Sequence, residues 1–221
     1  MQKPLLHKIH NNSFWLSAER CMFWEEEKAL IVADLHFGKT GHFRKSGIAI
    51  PQTVYKEDLQ RLIHQIQHFQ PEKIIIAGDL FHSTENKELE MFQKWRKDFS
   101  LLKIHLIKGN HDILSDDWYQ NAGIEVHQQG WIVQDFCFCH DLIDSSLMTH
   151  HSSLYSFSGH IHPAIHLNGM SKQSLRFPCF YFAKKYAVLP AFSRFTGTHL
   201  IKPEKGEIVF AIAAEKIIQV T

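Results

Sequence analysis

Residues 32–47, VADLHFGKTGHFRKSG, run from the end of an apolar strand straight into a polar loop. The loop opens with Asp34 and His36, a carboxylate and an imidazole one residue apart. At a buried strand end both groups are costly unless something pairs with them. The same transition recurs along the chain. EKIIIAGDLF (72–81) reaches Gly78-Asp79, KIHLIKGNHD (103–112) ends in Gly109-Asn110-His111-Asp112, and YSFSGHIHP (155–163) contains Gly159-His160-Ile161-His162. His140, after the strand that carries Cys137 and Cys139, is a fifth candidate.

The segments between these loops set the fold class. FWLSAERCMFWEEEKALIVADLH (14–36) holds short apolar runs broken by a turn at Glu25, Glu26 and Glu27. PQTVYKEDLQRLIHQIQHF (51–69) has Val54, Leu59, Leu62, Ile63, Ile66 and Phe69 at helical spacing, with Pro51 at its start and Pro71 beyond its end. NKELEMFQKWRKDF (86–99) also reads as helix, whereas EKIIIAGDLF is a strand apolar on both faces. After residue 120, IEVHQQGWIVQDFCFCHD, QSLRFPCFYFAKKYAVLPAF and GEIVFAIAAEKIIQV read as strands with little helix between them. The order β, then βαβαβ, then mostly β predicts an α/β sandwich of two packed sheets flanked by helices. With no linker, repeat or low-complexity run, residues 1–221 read as a single domain.

Composition narrows the class. The apolar fraction of 44% and charged fraction of 21% are those of an ordinary globular chain, and the net charge of +1 neither demands nor excludes nucleic acid. No apolar run approaches the ~18 residues of a membrane span, and MQKPLLHKIHNN is not built like a signal peptide. Cys21, Cys137, Cys139 and Cys179 are too few and too scattered for a disulfide scaffold, which points to the cytoplasm, and the lack of a long apolar run points away from a membrane. Phe14, Trp15, Phe23 and Trp24 alternate within strands and read as core rather than as a base-stacking platform.

Taken together, the loops offer oxygen and imidazole ligands but no thiolate, a set that suits Mn²⁺, Fe or Zn²⁺ better than calcium. Loops at strand ends of a layered sheet are where such groups converge. Gly78, Gly109 and Gly159 each precede a candidate ligand, where the chain turns and the backbone approaches an ion.

The ordered set D-x-H, G-D, G-N-H-D and G-H-x-H resembles the calcineurin-like metallophosphoesterase superfamily. That resemblance implies a four-layer αββα sandwich around two divalent metal ions. It casts Asp34, His36 and His162 as ligands of one metal, Asp79 as the bridge, and Asn110, His140 and His160 as ligands of the other. His111 takes the place of a catalytic general acid and Asp112 that of the residue orienting it. Hydrolysis of a phosphodiester by a metal-activated water follows from those roles.

A narrower likeness covers residues 20–200. CMFWEEEKALIVADLHFGKTGHFRKSGIAIP (21–51), GDLFHS (78–83), SGHIHP (158–163) and LRFPCFYFAKKYAVLPAFSRFTG (175–197) resemble the bacterial ligase-associated DNA-damage-response phosphoesterases known as PdeM. That family implies a manganese-dependent DNA endonuclease or phosphodiesterase in DNA repair, with an ATP-dependent ligase, a helicase and an exonuclease-like protein as partners. Lys39, His42, Arg44 and Lys45 would then line the approach of a phosphate backbone, Arg44 with its two-pronged donor fork. His82 reads as a substrate contact, a partner of the ligands or a plain loop histidine. His150 and His151 compete with His140 for its role. A small phosphodiester or nucleotide substrate, a protein phosphatase and a non-catalytic scaffold stay open as alternatives.

Overall fold

The computed structural model describes residues 3–39, 53–82, 87–142, 154–168 and 174–221. Arg44, His42, Lys45, His150 and His151 lie outside these residues. The first strands are β1 (Leu5–Ile9), β2 (Asn12–Ser17), β3 (Cys21–Trp24) and β4 (Ala29–Val32). Helices and strands then alternate: α1 (Thr53–Phe69), β5 (Lys73–Ala77), α2 (Lys87–Asp98), β6 (Lys103–Ile107), α3 (Asp116–Asn121) and β7 (Ile124–His127). The remaining strands are β8 (Trp131–Val133), β9 (Phe136–Phe138), β10 (Tyr155–Ser158), β11 (Pro163–Asn168), β12 (Ser174–Phe182), β13 (Tyr186–Val188), β14 (His199–Leu200), β15 (Ile208–Ala213) and β16 (Lys216–Gln219).

Strands β1 to β7 form one sheet in chain order, antiparallel up to β4 and parallel from β4 to β7. The second sheet runs β14-β11-β12-β13-β10-β9-β8, with β15 on β12 and β16 on β15. It too is mixed, since β9, β10 and β13 are parallel while β11, β12 and β13 are antiparallel. The fold is the expected α/β sandwich of two mixed sheets flanked by helices.

Period-two burial explains the layers. Leu30 and Val32 of β4, Ile74 and Ile76 of β5, and Ile104 and Leu106 of β6 face one core. There they meet Leu59, Leu62 and Ile66 of α1, Phe92 and Trp95 of α2, and Tyr119 of α3. The alternate residues Ile31, Ile75 and Ile107 face a second core with Phe14, Trp24, Phe136, Phe157, Phe180 and Phe210, between the two sheets. Burial on both faces is why these parallel strands read as continuous apolar runs. Trp24 donates from Nε1 to Asn12 Oδ1 at 2.9 Å, so its indole is a satisfied core group and no platform for bases.

Helix α3 was not expected from the sequence. Its cap is regular: Ser115 is extended and its hydroxyl accepts from Trp118 N, with Asp116 and Asp117 in the first turn. Among the described residues, no helix is long and apolar enough to cross a membrane.

Candidate metal centre

The carboxyl ends of β4, β5 and β6 in one sheet, and of β9 and β10 in the other, open into five adjacent loops. Backbone hydrogen bonds lace them together: Asp34 N to Gly78 O (3.1 Å), His36 N to Asp79 O (2.9 Å), Phe37 N to Leu80 O (2.9 Å) and Gly159 N to His140 O (3.2 Å). A parallel bridge between Phe37 and Phe81 extends the pairing past the ends of β4 and β5.

Asp34, His36, Asp79, Asp112 and His140 are all buried. His36 Nε2 lies 3.4 Å from His162 Nε2, and His162 Nε2 lies 3.6 Å from Asp34 Oδ1. On the other side, His140 Nε2 lies 3.6 Å from Asp79 Oδ1 and 3.0 Å from His160 Nδ1. Asp79 faces both groups, because its Oδ2 is 3.9 Å from His36 Nδ1. The candidate ligand atoms fall into two clusters, Asp34–His36–His162 and Asp34–Asp79–His140, which share Asp34. Asn110 is exposed and lines, with His140 and Asp141, a cavity of about 590 Å³ beside them.

These residues fit metal ions. Two carboxylates with essentially no exposure stand among imidazoles whose nitrogens point at one another, an arrangement that a bound cation would offset. His36 Nδ1 is buried with no hydrogen-bond partner. Burial, helped by Lys39, His162, His82 and His111, pushes the His36 imidazole down to about 2, which leaves it neutral as a ligand must be. Burial also lowers His162, but the hydrogen bond and charge of Asp34 and the Gly197 carbonyl outweigh it, and the net direction is up. His140 Nδ1 faces Ala77 O at 3.3 Å and His162 Nδ1 faces Gly197 O at 3.0 Å, so backbone carbonyls orient both rings.

The backbone is bent to make this possible. Asp34, His36, Asp79, His160 and His162 all have φ between 50° and 69°, in the left-handed region. Gly78 makes the expected turn, with φ at 84°, and the glycines also leave space. A Cβ on Gly78 would stand 1.9 Å from His140 Nδ1, and one on Gly109 would stand 2.3 Å from Asp79 Oδ1. Their missing side chains leave room for candidate ligands from other loops.

His111 is exposed, and its backbone N–H donates to Asp79 Oδ1 at 2.9 Å. Its ring lies 4.1 Å from that of His82 and 5.5 Å from that of His36. The structure gives Asp112 backbone partners: Oδ1 accepts from Phe81 N at 3.0 Å and Oδ2 from Gly109 N at 2.9 Å. Asp112 thereby braces the loop that carries His111. Burial pushes its carboxyl up to about 7, against the pull of the two backbone donors. Lys39 is within electrostatic reach of Asp79 and Asp34, and burial lowers its ammonium.

Three contributors escaped the sequence reading. Asp141 Oδ2 lies 3.8 Å from His160 Nε2, beside the His140–His160 pair. Arg61 donates to Glu19 Oε2 (2.6 Å), Asp58 Oδ1 (2.6 Å) and Phe192 O (3.1 Å), with its guanidinium 4.4 Å over the Phe192 ring. Arg20 Nη1 donates to Ser193 O at 2.9 Å. Both arginines hold the segment whose Phe192 N and Ser193 N donate to Ala33 O and Asp34 O. No local signal marks the role of either arginine, because the segment they hold lies more than 100 positions away.

A sandwich of two mixed sheets with carboxylate–imidazole clusters at the ends of its parallel strands is an architecture suited to a metal-dependent phosphoesterase. The profile of the calcineurin-like phosphoesterases matches residues 28–182, and the chain belongs to that family. Among solved structures it is similar to the Pseudomonas putida nuclease MPE, with 28% identity, a TM-score of 0.82, and 98% of this chain and 100% of that chain covered. An Aquifex aeolicus protein of unknown function, AQ665, aligns at 14% identity and a TM-score of 0.44 over 61% of this chain and 78% of that one. No curated protein matches.

Proposed function

We propose that the chain is a two-metal phosphodiesterase acting on DNA, most simply as an endonuclease in DNA repair. The observation that carries this reading is the position of Asp79, whose two oxygens face the His36 side and the His140 side of one buried centre. A carboxylate so placed can bridge two divalent ions. Likeness to a nuclease over nearly the whole chain supports a nucleic-acid substrate.

In this reading Asp34, His36 and His162 hold one ion, Asn110, His140 and His160 the other, and Asp79 both. Bound there, the ions, Mn²⁺ by the family resemblance, supply Lewis acidity and a nucleophilic water at neutral pH. The chain's own residues do the rest. Asn110 orients a phosphoryl oxygen as charge spreads over the equatorial positions. His111 gives a proton to the leaving alkoxide, from a loop that Asp112 holds in place. In this reading His82, whose ring lies 4.1 Å from that of His111, Lys39 and Arg44 contact the phosphate backbone of the substrate. The ligase, helicase and exonuclease-like partners enter this reading by the family resemblance alone, and the four free, buried cysteines support only its cytoplasmic location.

The test is cleavage of single- and double-stranded DNA, and of a small aryl phosphodiester, by metal-free protein reloaded with Mn²⁺. Cleavage of DNA that needs the metal is the expected result. Hydrolysis of the aryl diester alone would keep the two-metal chemistry and remove DNA as the substrate. Inactivity toward both, with Mn²⁺ bound, would overturn the reading.

A further inference from the structure

We propose that His105, Glu125 and His127 form a separate site for one divalent first-row transition ion, Zn²⁺ by its ligand set, at the open edge of the sandwich. The site shares no residue with the candidate centre and does not depend on the phosphoesterase reading. His105 of β6 pairs in register with Glu125 of β7, and His127 lies two residues further on, so all three side chains share one sheet face. That face looks toward the second sheet, since Ile107, two residues after His105, packs in the core between the sheets.

The donor atoms converge. His105 Nδ1 is 3.3 Å from His127 Nε2 and 3.4 Å from Glu125 Oε2, and His127 Nε2 is 3.6 Å from Glu125 Oε1. A tetrahedral Zn²⁺ with bonds of about 2.0–2.1 Å holds neighbouring ligand atoms about 3.3–3.4 Å apart. Two imidazoles and one carboxylate are the protein ligands of a familiar class of zinc site, with the fourth position left for water. Glu125 is 65% exposed and gives an ion a way in, whereas the His105 and His127 side chains are 10% and 15% exposed.

Trp131, which opens β8 in the other sheet, fixes the rings. It stacks on His105 with centroids 4.1 Å apart and on His127 at 4.8 Å, both at 16°. Rings clamped flat against one indole keep their nitrogens aimed at a common point, which is the preorganisation a metal site requires. An ion there would join the last two strands of the first sheet beneath a side chain of the second.

The experiment is equilibrium dialysis of the metal-free full chain against Zn²⁺, with zinc counted per chain by elemental analysis. Wild type is compared with His127→Gln and Glu125→Lys, the latter placing an ammonium where the carboxylate stood. Each variant is expected to hold one equivalent fewer than wild type, with unchanged circular dichroism. Equal zinc content in wild type and both variants would overturn the proposal. Should His127→Gln fail to fold, Glu125→Lys decides alone, because its side chain projects into solvent and an unchanged count there is sufficient to reject the site.

Discussion

The backbone N–H of His160 donates to both carboxylate oxygens of Asp34, at 3.2 and 3.0 Å, across 126 positions of sequence. One amide thus fixes the carboxylate common to both candidate metal clusters and joins the first sheet to the second. The contact exists only because Gly159 lets the loop lie against Asp34.

Gly159→Ala tests that closeness. Its Cβ would stand 2.6 Å from Asp34 Oδ2, 2.8 Å from Ala77 O and 2.9 Å from Ala33 Cβ. Two of those neighbours belong to the packed strand end, so relief requires the loop to retreat. We expect a loss of about 1–3 kcal/mol in chemical denaturation, together with fewer Mn²⁺ bound per chain. Wild-type stability with full metal content would show that the two loops can part without consequence.

His111→Ala separates proton delivery from metal binding. Loss of a general acid slows a reaction by about 10²–10⁴-fold, and the side chain is no ligand in the proposed site. The expected result is that fall in kcat on an ordinary DNA or aryl diester, with metal stoichiometry unchanged. A diester with a very acidic leaving group should be less affected, and equal losses on both kinds of substrate would count against the proton-transfer role.

Arg61→Ala should unfold the chain at lower denaturant. The substitution leaves Asp58, 3% exposed, without its guanidinium partner and releases the carbonyl of Phe192. Breaking such a buried pair costs about 3–5 kcal/mol. Arg61→Lys should recover part of this, since it restores the charge without the fork. Stability within error of wild type for Arg61→Ala would place the anchoring of this segment elsewhere.

Acidification should destabilise the metal-free protein. Burial, with Lys39 next, lowers the His36 imidazole from 6.5 to about 2. Burial lowers His105 from 6.5 to about 4, with Glu125 opposing and His127, Lys73 and Lys103 adding to it. Below the unfolded value of 6.5 the unfolded chain binds protons that the folded chain refuses, so stability falls as pH drops from about 6.5 toward about 4. Melting temperatures taken across that window should decline steadily, and His105→Gln should make the decline shallower. Asp112, raised by burial to about 7, opposes the two imidazoles in the same window, because folded Asp112 holds a proton that the unfolded chain has lost. The deciding comparison is therefore between the two slopes: equal declines in wild type and His105→Gln would contradict the His105 shift.

Much of this was legible in the sequence, for identifiable reasons. Strands β4, β5 and β6 are buried on both faces and therefore spell themselves out as apolar runs, and each candidate ligand loop follows its strand directly. Helix α1 shows its face through Leu59, Leu62 and Ile66. What stayed hidden depends on contacts rather than on local pattern. Helix α3 is only six residues long, although Ser115 followed by Asp116 and Asp117 was a capping signal that could have been read. The roles of Arg61 and Arg20 arise from a segment more than 100 positions away. His105 meets Glu125 and His127 only through the register of β6 with β7.

The left-handed backbone at Asp34, His36, Asp79, His160 and His162 also limits which substitutions can report on the centre cleanly. Outside glycine, Asn, Asp and His are the residues that enter this region most readily, so the types chosen for their ligand atoms are also those the loops tolerate. An alanine scan would confound lost chemistry with a distorted turn. Asparagine in place of each aspartate or histidine would preserve the turn and report on the ligand alone. Selection on these five positions is therefore doubly constrained, and drift toward any larger aliphatic residue is closed to them even in a descendant that no longer needs the chemistry.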